Sequence, residues 1–350
     1  MSNSPGADSK PSLSFLDLAN RCNNFHLPAD HGSVDPTTSI HRDYVVPWSL
    51  SQSPDSAIIG LLKPDVIDVL LQEPEGTFVT LERATPGSRY RISFHPSIDT
   101  PSKRTDAMRR LCERWRDSGT IFQDTIGPKK WRNEMYPVYR NPFGVHSSDT
   151  SNYLFEMERS ACSLFGVATF GVHMTVYHED ADGSNVRIWT PTRSRTKQTW
   201  PGYLDNSVAG GIPSGMSTFE ALVKESMEEA SIAEDLVRKH AKCAGSVSYY
   251  FQTAEGRLQP EVQYVYDLKV PPNVDSTSFQ PSPMDGEVES FDLLPLDVVV
   301  AKMKQGLFKA NCAVVLIDFL LRRGYLTPDN EPDFMEIVTR MHTRFEFDRW

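Results

Sequence analysis

The sequence predicts an α/β protein of the α+β kind, with a smaller mixed N-terminal part followed by a larger sheet-and-helix part. Three observations carry this. The chain has 350 residues, more than one typical core organises. Helical and strand periodicities alternate along it. Near residue 160 the texture changes to a long run rich in β-branched and aromatic residues.

Taken in order, residues 1–13 are polar, with Ser, Gly and Pro, and are expected to be disordered. They lack the charged start and apolar core of a secretory signal. Over 14–24, Phe15, Leu16, Leu18, Ala19 and Cys22 keep helical spacing. Pro, Asp, Gly and Ser make 27–41 a loop. The apolar run 57–72 reads as helix, with Pro64 suited to a helix start. Residues 78–94 read as strand, and 102–117 as helix around Met108, Leu111, Cys112 and Trp115.

From Leu164 through Tyr177 the chain reads as strand, and the turn Asp180-Ala181-Asp182-Gly183 joins it to 186–190 as a β-hairpin. Further strands are expected at 207–209, 245–252, 262–270 and 289–294, and helices at 296–304, 311–322 and 332–345. The Pro- and Ser-rich stretch 271–283 should be a mobile loop, over a site or as a plain surface excursion. These elements divide the chain into an accessory domain at 14–160, a main domain at 161–330 and a C-terminal helix at 331–350.

Composition narrows the function. The formal net charge is −10 and the pI about 5.4, which argues against nucleic acid and anionic membrane as partners, because both are held by basic patches. The most apolar stretch, 313–321, contains Asp318 and is too short to span a bilayer. Five scattered cysteines without a C-x-x-C spacing suggest reduced thiols and a cytoplasmic location.

The chemistry concentrates in one helix. Ser217-Thr218-Phe219-Glu220 fits a capping box, and Phe219, Leu222, Val223, Ser226, Met227 and Ala230 form a stripe that can lie on a sheet. Glu225, Glu228 and Glu229, at i, i+3 and i+4, project together away from that stripe. On a plain helix they repel by a few tenths of a kcal/mol per pair, roughly. A divalent cation turns that repulsion into affinity, and Mg²⁺ (or Mn²⁺) suits a few carboxylates completed by water and phosphate oxygens. The bland alternative is a solvated acidic face. Upstream, Gly210 and Gly211 lie in a glycine-rich loop that can pass close to phosphates.

Together these residues resemble the Nudix signature, G-x5-E-x7-R-E-U-x-E-E-x-G-U, with U aliphatic. Gly210 stands at its first glycine, Glu225 after the arginine position, Glu228 and Glu229 at the paired glutamates, and Ile232 at the last aliphatic. Met216, Lys224, Ser226 and Ser231 depart from it, the first two at a pair that usually forms a structural salt bridge. Trp200-Pro201-Gly202-Tyr203-Leu204-Asp205-Asn206 and the stretches 193–197, 261–268, 285–289 and 311–319 are similar to the thiamin-pyrophosphokinase-related branch.

That resemblance implies an N-terminal domain of unassigned role before a Nudix α/β/α sandwich with a mixed sheet, and no stretch to house a kinase. It implies a small-molecule diphosphate substrate, above all oxidised or damaged thiamin diphosphate analogues such as the oxo and oxy forms, hydrolysed to the monophosphate as metabolite repair. Glu225, Glu228 and Glu229 would hold the metal, and Glu287, just after the Pro/Ser loop, is the candidate base for the attacking water. Arg193 and Lys197 are candidate phosphate contacts or else solvated loop cations. Asp205 and Asn206 either read a polar ring of the substrate or cap a turn. Competing readings are hydrolysis of nucleoside diphosphate derivatives, of an isoprenoid diphosphate, or a binding module without turnover. The oligomeric state stays open between monomer and homodimer.

Overall fold

The computed structural model describes residues 12–27, 45–73, 76–81, 91–272, 276–345 and 347. Most of the expected disordered start and of the loop at 27–41 lies outside them. Helix α1 (Phe15–Cys22) opens on a capping box, Ser14 and Asp17 each accepting the other's backbone N–H.

A four-stranded sheet follows, in the order β2-β1-β4-β3, from β1 (Val46–Ser49), β2 (Ile58–Leu62), β3 (Phe78–Leu81) and β4 (Arg91–Phe94). The helix expected over 57–72 is therefore two elements, β2 and then α2 (Pro64–Leu70). Pro64 holds the residue before it in extended backbone, so the apolar run breaks there and its first half pairs with β1. Helix α3 (Pro101–Asp117) covers this sheet together with a two-stranded ribbon of β5 (Met135–Tyr139) and β6 (Tyr153–Glu158). Trp48 sits at the centre of their core, its ring 5.2 Å from Phe94 and 5.0 Å from Phe165.

Residues 162–165, whose last two were expected to begin a strand, form the short helix α4 (Cys162–Phe165). Gly166, at φ 57°, ends it in the left-handed region, where a Cβ would lie 2.4 Å from the Leu61 carbonyl oxygen. Then comes a mixed six-stranded sheet in the order β10-β11-β7-β8-β12, with β9 paired to β7 at Gly171–Met174, ahead of the residues that pair with β8. Its strands are β7 (Thr169–His178), β8 (Arg187–Arg193), β9 (Val208–Gly211), β10 (Ala241–Gln252), β11 (Leu258–Lys269) and β12 (Val288–Pro295). β7 and β11 are parallel, with Thr169 opposite Glu261, and the other pairings are antiparallel.

Alternation along β7 sends Phe170, Val172, Met174 and Val176 into a core with α5 (Thr218–Ala230) and α6 (Glu234–His240). On the opposite face, Val247, Tyr249 and Val265 pack under α7 (Leu296–Lys304), α8 (Ala310–Arg322) and α1. The result is the predicted mixed α/β fold, with helices on both faces of a mixed sheet. Helix α9 (Phe334–Arg340) is shorter than the helix expected at 332–345, because the chain beyond it bonds to β10 instead, through Ser248 N–H to Met341 O and Thr343 N–H to Ser248 O. In the Pro/Ser-rich stretch, the described residues 276–283 are anchored: the 3₁₀ turn at Ser276–Phe279 buries Phe279, and Ser282 N–H donates to Ala230 O at the end of α5. Among the described residues, no helix is long and apolar enough to cross a membrane.

Candidate active site

Helix α5 begins where Ser217 Oγ accepts from Glu220 N–H at 3.3 Å. The reciprocal half of the expected capping box is missing, because the Glu220 carboxylate is taken by Arg238 at 2.9 and 2.7 Å. Ser226, which stands at an aliphatic position of the signature, is fully buried and bonds back to Leu222 O at 2.7 Å. The helix stops at Ser231, which takes the left-handed conformation at φ 55°, with Ile232 N–H reaching Ser226 O.

The three glutamates leave α5 towards different surroundings. Glu225 packs on β9, where a Cβ on Gly210 would fall 2.2 Å from its carboxyl carbon. Glu229 lies deeper and accepts Ala209 N–H at 3.2 Å. Glu228 is half exposed and pairs with Lys224 at 2.9 Å, which also reaches Glu225 at 3.2 Å. The three carboxylates do not gather within a common 4.8 Å; among the described residues, the group that does is His173, Asp205 and Cys312.

Charge crowding is strongest at Glu229. Burial, and then repulsion from Asp205 and Glu225, pushes its carboxyl far above the usual range. Burial likewise raises Glu225, against the pull of Lys224. Glu287 is drawn the other way: burial opposes its charge, but the Lys197 ammonium hydrogen-bonded to it holds it below the usual carboxylate range. The Glu287 carboxylate also adds to the negative charge that raises Glu229. The structure thus brings Glu225, Glu229, Glu287 and Lys197 to one edge of the sheet.

The other predicted residues are buried and internally satisfied. Arg193 bonds Asp205 at 2.5 Å and the carbonyls of Thr199 and Trp200 at 3.2 Å, closing the 194–204 loop. Asp205 also accepts from the Cys312 thiol at 2.6 Å, and although burial works against its charge, Lys309 and Arg193 hold it down to about 2. Asn206 accepts from His173 Nδ1 at 2.7 Å. Burial keeps the Cys312 thiol protonated, so His173, Asp205 and Cys312 form a hydrogen-bonded structural network.

Beside this edge opens a cavity of about 330 Å³. Of the predicted residues only Gly210 and Gly211 line it. Its floor is one face of the sheet: Tyr249 on β10, Glu261 and Gln263 on β11, and Thr169, Gly171 and His173 on β7. Gln263 Nε2 donates to Glu261 and to Tyr249 Oη, both at 2.9 Å, leaving its buried Oε1 without a partner. The opposite wall comes from the N-terminal half, with Lys130, Arg132, Tyr136 and Arg159. A Cβ on Gly211 would lie 1.5 Å from the Tyr136 hydroxyl, so this glycine is what lets the two halves meet.

Sequence reasoning missed this floor and wall. The floor had a signal, since polar residues alternate with Phe170, Val172 and Val262 along β7 and β11. The wall had none, because Arg132 comes to line the same cavity as Gly210 only through the tertiary fold.

The domain of unknown function DUF4743 matches residues 15–169. An uncharacterized protein of Saccharomyces cerevisiae is 42% identical over 231 residues, 63% of this chain and 64% of its own length. The Arabidopsis thaliana protein called Nudix hydrolase 20, chloroplastic, is 35% identical over 254 residues, 72% of this chain and 62% of its own. Nudix hydrolase 24, chloroplastic, of the same plant is 34% identical, covering 71% of this chain and 62% of its own length. The chain therefore spans a little under two thirds of these curated relatives. The crystal structure of an Ap4A hydrolase from C. elegans overlays 45% of this chain and 99% of its own at 13% identity and a TM-score of 0.32, an overlap too slight to carry an argument.

Proposed function

We propose, from its similarity to two plant Nudix hydrolases over most of its length, that this chain is a metal-dependent diphosphatase of a small molecule bearing a hydrogen-bonding ring. The observation that carries the proposal is the convergence of Glu225, Glu229 and Glu287 beside the glycine strand β9, next to a cavity large enough for a compact ligand. Oxidised thiamin diphosphate analogues, converted to the monophosphate, are the preferred substrates in this reading. The polar floor of Glu261, Tyr249 and Gln263 supports a heteroaromatic ring and disfavours an isoprenoid chain. A nucleobase would satisfy the same floor, so nucleoside diphosphate derivatives are the second reading.

The carboxylates fit a hard divalent cation: all donors are oxygens, and the raised Glu229 carboxyl, crowded by Asp205 and Glu225, marks a place where negative charge is in excess. Glu225, Glu228 and Glu229 would hold it, Glu228 turning from Lys224 to do so. Neutralisation of the diphosphate and acidification of a bound water are the chemistry such an ion, Mg²⁺ or Mn²⁺, supplies when present. Glu287, held in its ionised form by Lys197, would take the proton of the attacking water. The new O–P bond forms as the bridging P–O bond breaks, and the monophosphate and phosphate leave. The division into an accessory unit at 14–160 and a catalytic unit at 161–330, and a cytoplasmic location, belong to the same proposal.

Phosphate release with Mg²⁺ or Mn²⁺, from thiamin diphosphate, its oxo and oxy analogues, ADP-ribose and a dinucleotide, tests it. Preference for the damaged thiamin compounds supports the first reading, and turnover of nucleotides alone replaces it with the second. Silence on every substrate overturns the diphosphatase and leaves a binding module. In the active case Glu229→Gln should lower kcat at least 100-fold while the melting temperature without metal holds or rises, since the amide relieves the crowding.

A further inference from the structure

The cavity reverses the charge of the molecule around it. The chain carries a formal net charge of −10, yet five cations and only three carboxylates line this space. Of the cations, Arg257 is paired with Asp65 at 2.6 Å and Arg159 with Glu134 at 2.8 Å. Arg132 differs. No hydrogen bond or ion pair among the described residues holds its guanidinium, although its neighbours include Arg159 and Glu287.

Its backbone, by contrast, is firmly built. The buried carboxylate of Glu158 accepts Arg132 N–H at 2.9 Å, Glu134 N–H at 3.3 Å and Ser160 N–H at 3.2 Å. Asn133 between them takes a left-handed turn at φ 55°. Two further bonds tie this region to the catalytic side, Ser214 N–H to Met135 O at 2.8 Å and Gln198 Nε2 to Lys129 O at 2.7 Å. A fixed backbone carrying an unpaired cation into a cavity walled by a glycine strand is the arrangement of an anion-binding arm.

We infer that Arg132, supplied by the N-terminal half, is a phosphate-binding residue of this cavity and grips the substrate's diphosphate from the wall that half provides. The inference rests on the diphosphatase reading for the identity of the anion. Under it the N-terminal half completes the site rather than merely accompanying it. Lys130, also on this wall, adds charge without the planar fork that matches two phosphate oxygens.

The test is calorimetric titration of the full-length protein with inorganic pyrophosphate in metal-free buffer, for the wild type, Arg132→Gln and Arg132→Lys. Wild-type binding, a loss of at least tenfold in Arg132→Gln, and partial recovery in Arg132→Lys are expected. Melting temperatures of both variants should match the wild type, since no contact of the guanidinium is lost. Equal affinity in Arg132→Gln and wild type, or a wild type that binds no pyrophosphate, overturns the inference. With an active enzyme, the same variant should raise KM more than it lowers kcat. If the affinity loss appears but no substrate is ever hydrolysed, the anion arm stands and the diphosphatase reading falls; intact turnover with unchanged affinity does the reverse.

Discussion

His173 is wholly enclosed, and burial, followed by the nearby Lys309 ammonium, holds its ring down to about 4. Its native form is therefore neutral, while in the unfolded chain it titrates near 6.5. Stability from this depressed value is complete above the unfolded pKa, is lost progressively as pH falls from there to the folded one, and is gone below it. Urea melts at pH 7 and 4.5 should show the wild type losing about 2 kcal/mol more than His173→Gln. Arg193 makes a second residue-scale case. A cation beside the glycine loop is a reasonable phosphate contact from sequence, but its guanidinium is spent on Asp205 and two carbonyls. Arg193→Gln leaves Asp205 buried without its closest partner, so unfolding should become easier by about 3 to 5 kcal/mol. A stable variant with a raised KM would restore the phosphate-contact reading.

At the scale of elements, α5 was the most legible part of the chain because all its signals are local: the Ser217 cap, the apolar stripe and the glutamate spacing lie within one run of sequence. Ser231 stands where glycine would be freer, and it adopts the left-handed stop nonetheless. Ser231→Gly should therefore stabilise the protein by about 0.5 to 1 kcal/mol in denaturant melts, reduced by losing the bond from Ser231 Oγ to Ser282 O. The 57–72 stretch was less legible, since its first part, Ile58–Leu62, is buried throughout and carries no period that separates strand from helix. On β7 and β11 the period-2 pattern was present, but its polar half acquires meaning only once the two strands are known to be neighbours.

For the whole molecule, the sequence pointed to two parts and a change of texture near residue 160. The packing adds what local patterns cannot carry. α1 lies on α8 at the far side of the second sheet, and Val167 belongs to the core around Trp48. A fragment starting at residue 161 would expose Leu164, Phe165 and Val167 and lose the cover of α1. We expect calorimetry of the intact chain to give one cooperative transition and the 161–350 fragment to aggregate or melt without one. Two separate transitions would instead make the halves independent units.

The contact between Tyr136 and Gly211 also constrains ancestry. Position 211 cannot drift alone: a side chain there needs a smaller neighbour at 136. Lineages that exchanged one half for a distant cousin's would inherit a mismatch at the mouth of the cavity. The two halves should therefore descend together, and a chimera should work only when its tyrosine and its glycine come from the same parent.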